Sequence, residues 1–223
     1  MGISIAIDGP AGAGKSTIAR RVAKELSFLY VDTGAMYRAV ALYLLREGIR
    51  GDDPGQIQER CRGAHVSIRY EKGEQLVLLN GEDVTRLIRM EEVGNMASVS
   101  SADPGVRAHL LSFQRTLAQE NDVVMDGRDI GTTILPQAEV KIYLTASVDT
   151  RAMRRADELR QKGEECDLEE IKRDILARDE RDMSREVSPL RRAEDAVLVD
   201  SSDMTIQEVT DRILQVCRER AVR

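Results

Sequence analysis

Gly9-Pro10-Ala11-Gly12-Ala13-Gly14-Lys15-Ser16 is the stretch that decides how the rest of the chain is read. It follows a short apolar run, Ile3 to Ile7, and precedes Ile18, Val22 and Leu26 at helical spacing, so the order is strand, glycine loop, helix. Gly9 and Gly14 with four residues between them, then Lys and Ser, form a phosphate loop in that context. Glycines let consecutive backbone N–H groups turn inward around phosphate oxygens, and the helix start adds its positive dipole end. Lys15 is then placed to reach the β- and γ-phosphates of a nucleoside triphosphate, and Ser16 to ligate the accompanying Mg²⁺.

Working outward, a second apolar run, Phe28 to Val31, leads to Asp32-Thr33-Gly34 and a helix with Met36, Val40 and Tyr43 or Leu44 on one face. Beyond Gly48 to Gly55 the pattern changes. Val66, Ile68 and Tyr70 alternate with polar residues, Glu71 to Gln75 is polar, and Leu76 to Leu79 ends at Asn80-Gly81, a hairpin-like signature. Residues 63–92 are therefore expected to form an insert in a core made of 1–62 and 93–223. Helical spacing resumes after Pro104 with Val106, Leu110, Phe113 and Leu117. Three more strands are predicted at Val123 to Asp126, Val140 to Leu144 and Val197 to Asp200. A long Arg-rich helical region lies between the last two, and Asp167-x-x-Glu170 and Thr205-x-x-Glu208 resemble capping boxes. Strands alternating with helices predict an α/β fold with a mostly parallel, five-stranded sheet flanked by helices.

Composition narrows the function classes. The 223 residues suit one large domain or one domain with an insert. The net charge of −6 disfavours nucleic-acid binding by bulk electrostatics. No uncharged apolar run approaches the roughly 18 residues that a membrane helix needs. Cys61, Cys166 and Cys217 are odd in number and far apart, which fits neither a disulfide framework nor a Cys-x-x-Cys metal site. A soluble, cytoplasmic monomer without nucleic-acid or membrane partners is expected.

A triphosphate site alone serves a switch GTPase, a motor ATPase or a small-molecule kinase. The guanine-reading Asn-Lys-x-Asp does not occur, and an acidic chain of this size gives little support for a motor. A compact kinase needs a second anion site. Three constellations suit one: Asp32-Thr33-Gly34-Ala35-Met36-Tyr37-Arg38, Asp126-Gly127-Arg128-Asp129-Ile130-Gly131-Thr132, and Arg178-Asp179-Glu180-Arg181-Asp182-Met183-Ser184-Arg185. The first two follow strands, where doubly wound sheets bind ligands, and the planar fork of Arg can hold phosphate bidentately.

With these motifs in this order, essentially the whole chain resembles the bacterial cytidylate kinases, P-loop nucleoside monophosphate kinases that phosphorylate CMP and dCMP with ATP. The phosphate loop is shared by many families; the other three motifs are far more specific. The resemblance implies ATP contacts from Gly9, Pro10, Ala11, Gly12, Ala13, Gly14, Lys15, Ser16 and Thr17, and from Arg154 in a helical lid at about 151–165. It assigns Thr33, Arg38, Arg128 and Arg185 to the acceptor phosphate, with Tyr37 packing beside them. Ser98, Arg107 and Asp129 match base-reading positions, and Arg178 and Asp182 match sugar-side positions. It also makes the 63–92 insert the monophosphate-binding domain, and Lys15, Arg128 and Arg185 the residues that offset charge on the transferring phosphoryl. Independently of the family, an Asp129 acceptor complements the N4 amine of cytosine and opposes the carbonyl of uracil.

Plainer readings stand beside these. Most arginines between 151 and 192 are expected on a salt-bridged helical surface. Arg107 could be an ordinary exposed helix residue, Arg128 and Asp129 could pair with each other, and Asp126 could be a strand-ending cap or a partner of the metal and phosphate loop. His65 and His109 are given no chemistry. Met96, Met125 and Met153 are expected in the core.

Overall fold

The computed structural model describes residues 2–71, 73–161 and 163–220. The chain divides into two compact units, Met1–Tyr30 with Asn121–Arg223, and Val31–Glu120.

The first unit is built on a parallel sheet. Its strands are β1 (Ser4–Asp8), the start of β2 (Leu29–Asp32), β6 (Val123–Gly127), β7 (Val140–Thr145) and β8 (Val197–Asp200). The sheet order is β2-β6-β1-β7-β8, and the β1–β6, β1–β7 and β7–β8 pairs are parallel. β1 and β6 are buried along their whole length, which explains why they read as continuous apolar runs. The register sets Asp8 opposite both Gly127 and Tyr143, so β1 and β6 end together and β7 runs on to Thr145. The chain leaves β1 toward one side of the sheet for β2 and β6 and toward the other for β7 and β8, so its switch point adjoins β1, where such sheets bind ligands.

Helices cover this sheet. Ile18 and Val22 of α1 (Lys15–Leu26) share one apolar core with Ile5, Ile7, Ile142 and Leu144 and with Val209, Ile213 and Val216 of α8 (Ile206–Glu219). Each such side chain contributes roughly 1.5–3 kcal/mol on burial. α6 (Val148–Gln161) and α7 (Leu168–Ser184) pack through Ala152, Ala156 and Ile171. Thr205 and Glu208 form the predicted capping box of α8. Asp167 caps α7 differently, accepting from the Glu169 N–H without reciprocation by Glu170.

The second unit holds α2 (Thr33–Arg46), α3 (Pro54–Arg60), α4 (Glu91–Ser100), α5 (Pro104–Glu120) and an antiparallel sheet β3-β4-β5 (Val66–Glu71, Glu74–Leu79, Glu82–Asp83). Asn80 and Gly81, both at positive φ, join β4 to β5, so this signature marks the second turn of the sheet. Val77, Leu79, Val84 and Ile88 are buried, as are Met36, Val40 and Leu44 of α2. Because α2 packs against β4 and α4, this unit extends well past the expected 63–92 insert on both sides.

Met96 and Met125 are in the core, but Met153 is 51% exposed, contrary to expectation: it sits on the outer face of α6, whose buried residues are Arg151, Ala152 and Ala156. No helix among the described residues is long and apolar enough to cross a membrane.

Candidate active site

The phosphate loop leaves β1 at Gly9, where a Cβ would collide with the carbonyl oxygen of Leu144, so only glycine lets the loop pass that close to β7. Gly14 sits in the left-handed region (φ 86°) at the N-cap of α1, and no side-chain cap is made there among the described residues. The first N–H groups of a helix have no partner within it and carry its positive dipole end. Carbonyls of the loop are held by cations: Lys15 Nζ donates to Pro10 O at 2.7 Å and Arg151 Nη1 to Ala11 O at 3.0 Å. Burial, with the charge of Arg128, pushes the Lys15 ammonium well below its usual pKa, against the opposing pull of Asp126 and Asp182.

Ser16 Oγ donates to Asp126 Oδ2 at 3.0 Å, and Tyr30 OH donates to Asp126 Oδ1 at 2.9 Å. The strand-cap alternative for Asp126 gives way to a direct link with the phosphate loop. A hydroxyl and a buried carboxylate are the hard oxygen donors that Mg²⁺ favours, so the residues fit that ion. Among the described residues no three His, Cys, Asp or Glu gather into a cage, so such an ion would take most of its ligands from phosphate and water.

Beyond β6, Arg128 pairs with Asp182 of α7 (Nε to Oδ2, 2.8 Å) rather than with its neighbour Asp129. Burial would raise the Asp182 carboxyl, but Arg128, with help from Arg178 and Arg185, holds it below the ordinary carboxylate range. Arg185 Nη2 lies 3.8 Å from Asp129 Oδ1, and Asp129 is 2% exposed. Five expected acceptor residues, Arg128, Asp129, Arg178, Asp182 and Arg185, are therefore in one charged network within the first unit. Arg154 donates to Ser201 O at 2.7 Å, and its Nη1 lies 3.9 Å from where a Cβ on Gly14 would stand, beside the loop. Arg151 is buried in an ion pair with Asp179 at 2.7 Å, so the first residue of the expected lid is anchored. Lys162, within that span, lies outside the described residues.

Within the second unit, Asp32 caps α2 by accepting from the Ala35 N–H, and Thr33, Tyr37 and Arg38 occupy the first turns of that helix. Thr33 and Tyr37 are buried. Arg107 of α5 is not an exposed helix residue: it is 7% exposed, stacks over the Tyr37 ring with 5.5 Å from Cζ to centroid, and donates to Ser101 O. Ser98 Oγ is buried with no hydrogen-bond partner among the described residues, as is Ser100 Oγ two residues on. His109 is engaged with Ala64 O at 2.8 Å and has a structural role.

Sequence reading missed Asp8, which accepts the Ile130 and Gly131 N–H groups at 2.8 Å each and so ties β1 to the Arg128-Asp129 loop. Burial raises its pKa to about 6. Its place immediately before Gly9 was the available signal. Tyr30 and Asp179 gave no signal, since their roles depend on distant partners.

A model of the cytidylate kinase family matches residues 5–219. Proteins named cytidylate kinase from Geobacillus sp. (strain WCH70) and Bacillus subtilis (strain 168) are 49% and 45% identical, each over 98% of this chain and over 97% and 98% of their own lengths. Among solved structures, that of an uncharacterized protein from Eubacterium ventriosum ATCC 27560 aligns over 97% of this chain and 98% of that one with a TM-score of 0.50 at 14% identity, a likeness of fold alone. Since the family match runs from β1 to the end of α8, the chain belongs to the cytidylate kinase family.

Proposed function

We propose that the protein transfers the γ-phosphoryl group of ATP to CMP and dCMP, giving ADP with CDP or dCDP. An acceptor α-phosphate oxygen attacks the γ-phosphorus in line, the bond to the β,γ-bridging oxygen breaks, and that oxygen leaves with ADP. No covalent enzyme intermediate forms, so positioning and electrostatics carry the catalysis. The single observation that carries this reading is the first unit's network: a phosphate loop linked to Asp126 through Ser16, beside an Arg128-Asp182 pair with Arg178 and Arg185 around it.

In this reading Gly9 through Thr17 and Arg154 hold ATP, and Lys15, Arg128 and Arg185 stabilise the transferring phosphoryl. Thr33, Arg38, Arg128 and Arg185 hold the acceptor phosphate, with Tyr37 beside it. Arg178 and Asp182 contact the sugar, and Ser98, Arg107 and Asp129 read the base. Mg²⁺ bound with the ATP phosphates at Ser16, with Asp126 behind it, would neutralise charge on the β- and γ-phosphates. Residues 63–92 serve as the enlarged monophosphate-binding insert, and 151–165 as the lid that excludes water. The expected partners are small molecules.

The test is Lys15→Ala, assayed for CDP by chromatography with thermal unfolding alongside. Transfer should be lost while the unfolding transition persists; full activity would remove Lys15 from its assigned role.

A further inference from the structure

Asp32 starts the motif that carries Thr33, Tyr37 and Arg38, yet most of what holds it comes from the 63–92 segment. The side-chain amide of Gln75 on β4 accepts from the Asp32 N–H (Oε1, 2.9 Å) and donates to the Asp32 carbonyl (Nε2, 3.4 Å), pairing with the backbone as a neighbouring strand's peptide would. Arg89, in the single turn of 3₁₀ helix at Leu87–Arg89, donates from Nη2 to Asp32 Oδ2 at 3.1 Å. The other carboxylate oxygen caps α2 through the Ala35 N–H at 2.9 Å. Asp32 is 6% exposed, whereas the Arg89 side chain is 49% exposed. Backbone and side chain of one residue are thus fixed by two separate elements of the insert.

We infer that Gln75 and Arg89 are positioning residues for the acceptor phosphate, acting through Asp32. This rests on the proposed role of Thr33 and Arg38. Thr33 is the first residue of α2, so the direction in which the helix starts sets where its hydroxyl and the Arg38 guanidinium stand. The amide of Gln75 fixes the last peptide of β2, Arg89 holds the carboxylate in its capping rotamer, and together they set that direction. A half-exposed ion pair contributes little to global stability, so its use here is geometric. Misplacement of positioning groups by about 1 Å can cost roughly 100-fold.

The experiment compares Arg89→Met, Gln75→Leu and Arg89→Lys with the wild-type chain, reading KM for CMP, KM for ATP, kcat and melting temperature. The expected result is a rise of about five- to tenfold in KM for CMP in the first two, with KM for ATP within about twofold and partial recovery in Arg89→Lys. Arg89→Met in an Asp32→Asn background should add no further loss, because both changes break one contact. Lower melting temperatures with an unchanged KM for CMP would overturn the inference and leave a purely structural role. Arg38→Ala is measured beside them: if it raises KM for CMP while the Gln75 and Arg89 variants do not, the positioning role alone fails. If Arg38→Ala also leaves CMP use intact, the acceptor-phosphate reading fails and takes this inference with it.

Discussion

Ser16 Oγ and Asp126 Oδ2 are hydrogen-bonded at 3.0 Å, which ties the phosphate loop after β1 to the end of the adjacent strand β6. The other oxygen of the carboxylate is held by Tyr30 OH, so Asp126 is fixed at both ends. Replacing it with Asn keeps the shape but removes the charge that would attract a metal-bound water. Asp126→Asn is expected to lower activity, or raise the Mg²⁺ concentration for half-maximal rate, by roughly 10- to 100-fold. Titration of Mg²⁺ against initial rate, and against ATP affinity by calorimetry, checks this; unchanged values in both would leave Asp126 a structural tie between β6 and the phosphate loop.

Arg151 and Asp179 form a buried ion pair, and Arg151 also donates to Ala11 O in the phosphate loop and to Ala146 O. Removing the cation strands a buried carboxylate, so Arg151→Met should destabilise the fold by about 3–5 kcal/mol in urea unfolding. Arg151→Met with Asp179→Leu removes both charges and should recover much of that loss. A single variant as stable as the wild type would show the pair to be solvated.

Asp8 gives a pH prediction whose sign follows from its environment. Burial raises its folded pKa to about 6, against 3.8 for an ordinary aspartate, despite the two backbone N–H groups it accepts. Between these values the folded state binds more protons than the unfolded state, so this residue's contribution to stability falls as pH rises from about 4 to 6 and is flat above. Asp8→Asn removes that dependence. The stability difference between wild type and Asp8→Asn should shift toward the variant by up to about 3 kcal/mol from pH 4 to pH 7. Denaturant titrations at both pH values check it, and a pH-independent difference would refute it.

The parts of this molecule written in local sequence were legible in advance, and those that depend on long-range pairing were not. Gly9 to Ser16 announced both the loop and the parallel sheet, because its mechanism demands a strand before it and a helix after. The Asn80-Gly81 turn was visible, but the two-residue strand Glu82–Asp83 that follows it was too short to show a period. Arg128 looked able to pair with Asp129 next to it and instead meets Asp182, 54 residues away, through the packing of α7. Arg151 read as one arginine of a surface-rich helix; its burial against Ala11 and Asp179 is set by tertiary contacts alone. Gln75 lay in a polar stretch and acquired meaning only through its bonds to Asp32.

Asp129 carries the expected discrimination between bases. It is buried, with Arg185 Nη2 3.8 Å away, so a carboxylate acceptor is held in place. Asp129→Ala should reduce kcat/KM for CMP by about 5- to 150-fold while KM for ATP stays within about twofold, since one well-placed polar contact is worth roughly 1–3 kcal/mol. Equal losses for CMP and UMP would remove Asp129 from base reading.

The most direct measurement of the central claim is ADP formation with ATP, Mg²⁺ and CMP, dCMP, UMP or AMP in turn, with the nucleotide products resolved by chromatography. The account predicts CDP and dCDP formed one for one with ADP, and a much slower reaction with UMP. ADP release that needs no acceptor, or transfer to a different monophosphate in preference to CMP, would contradict it.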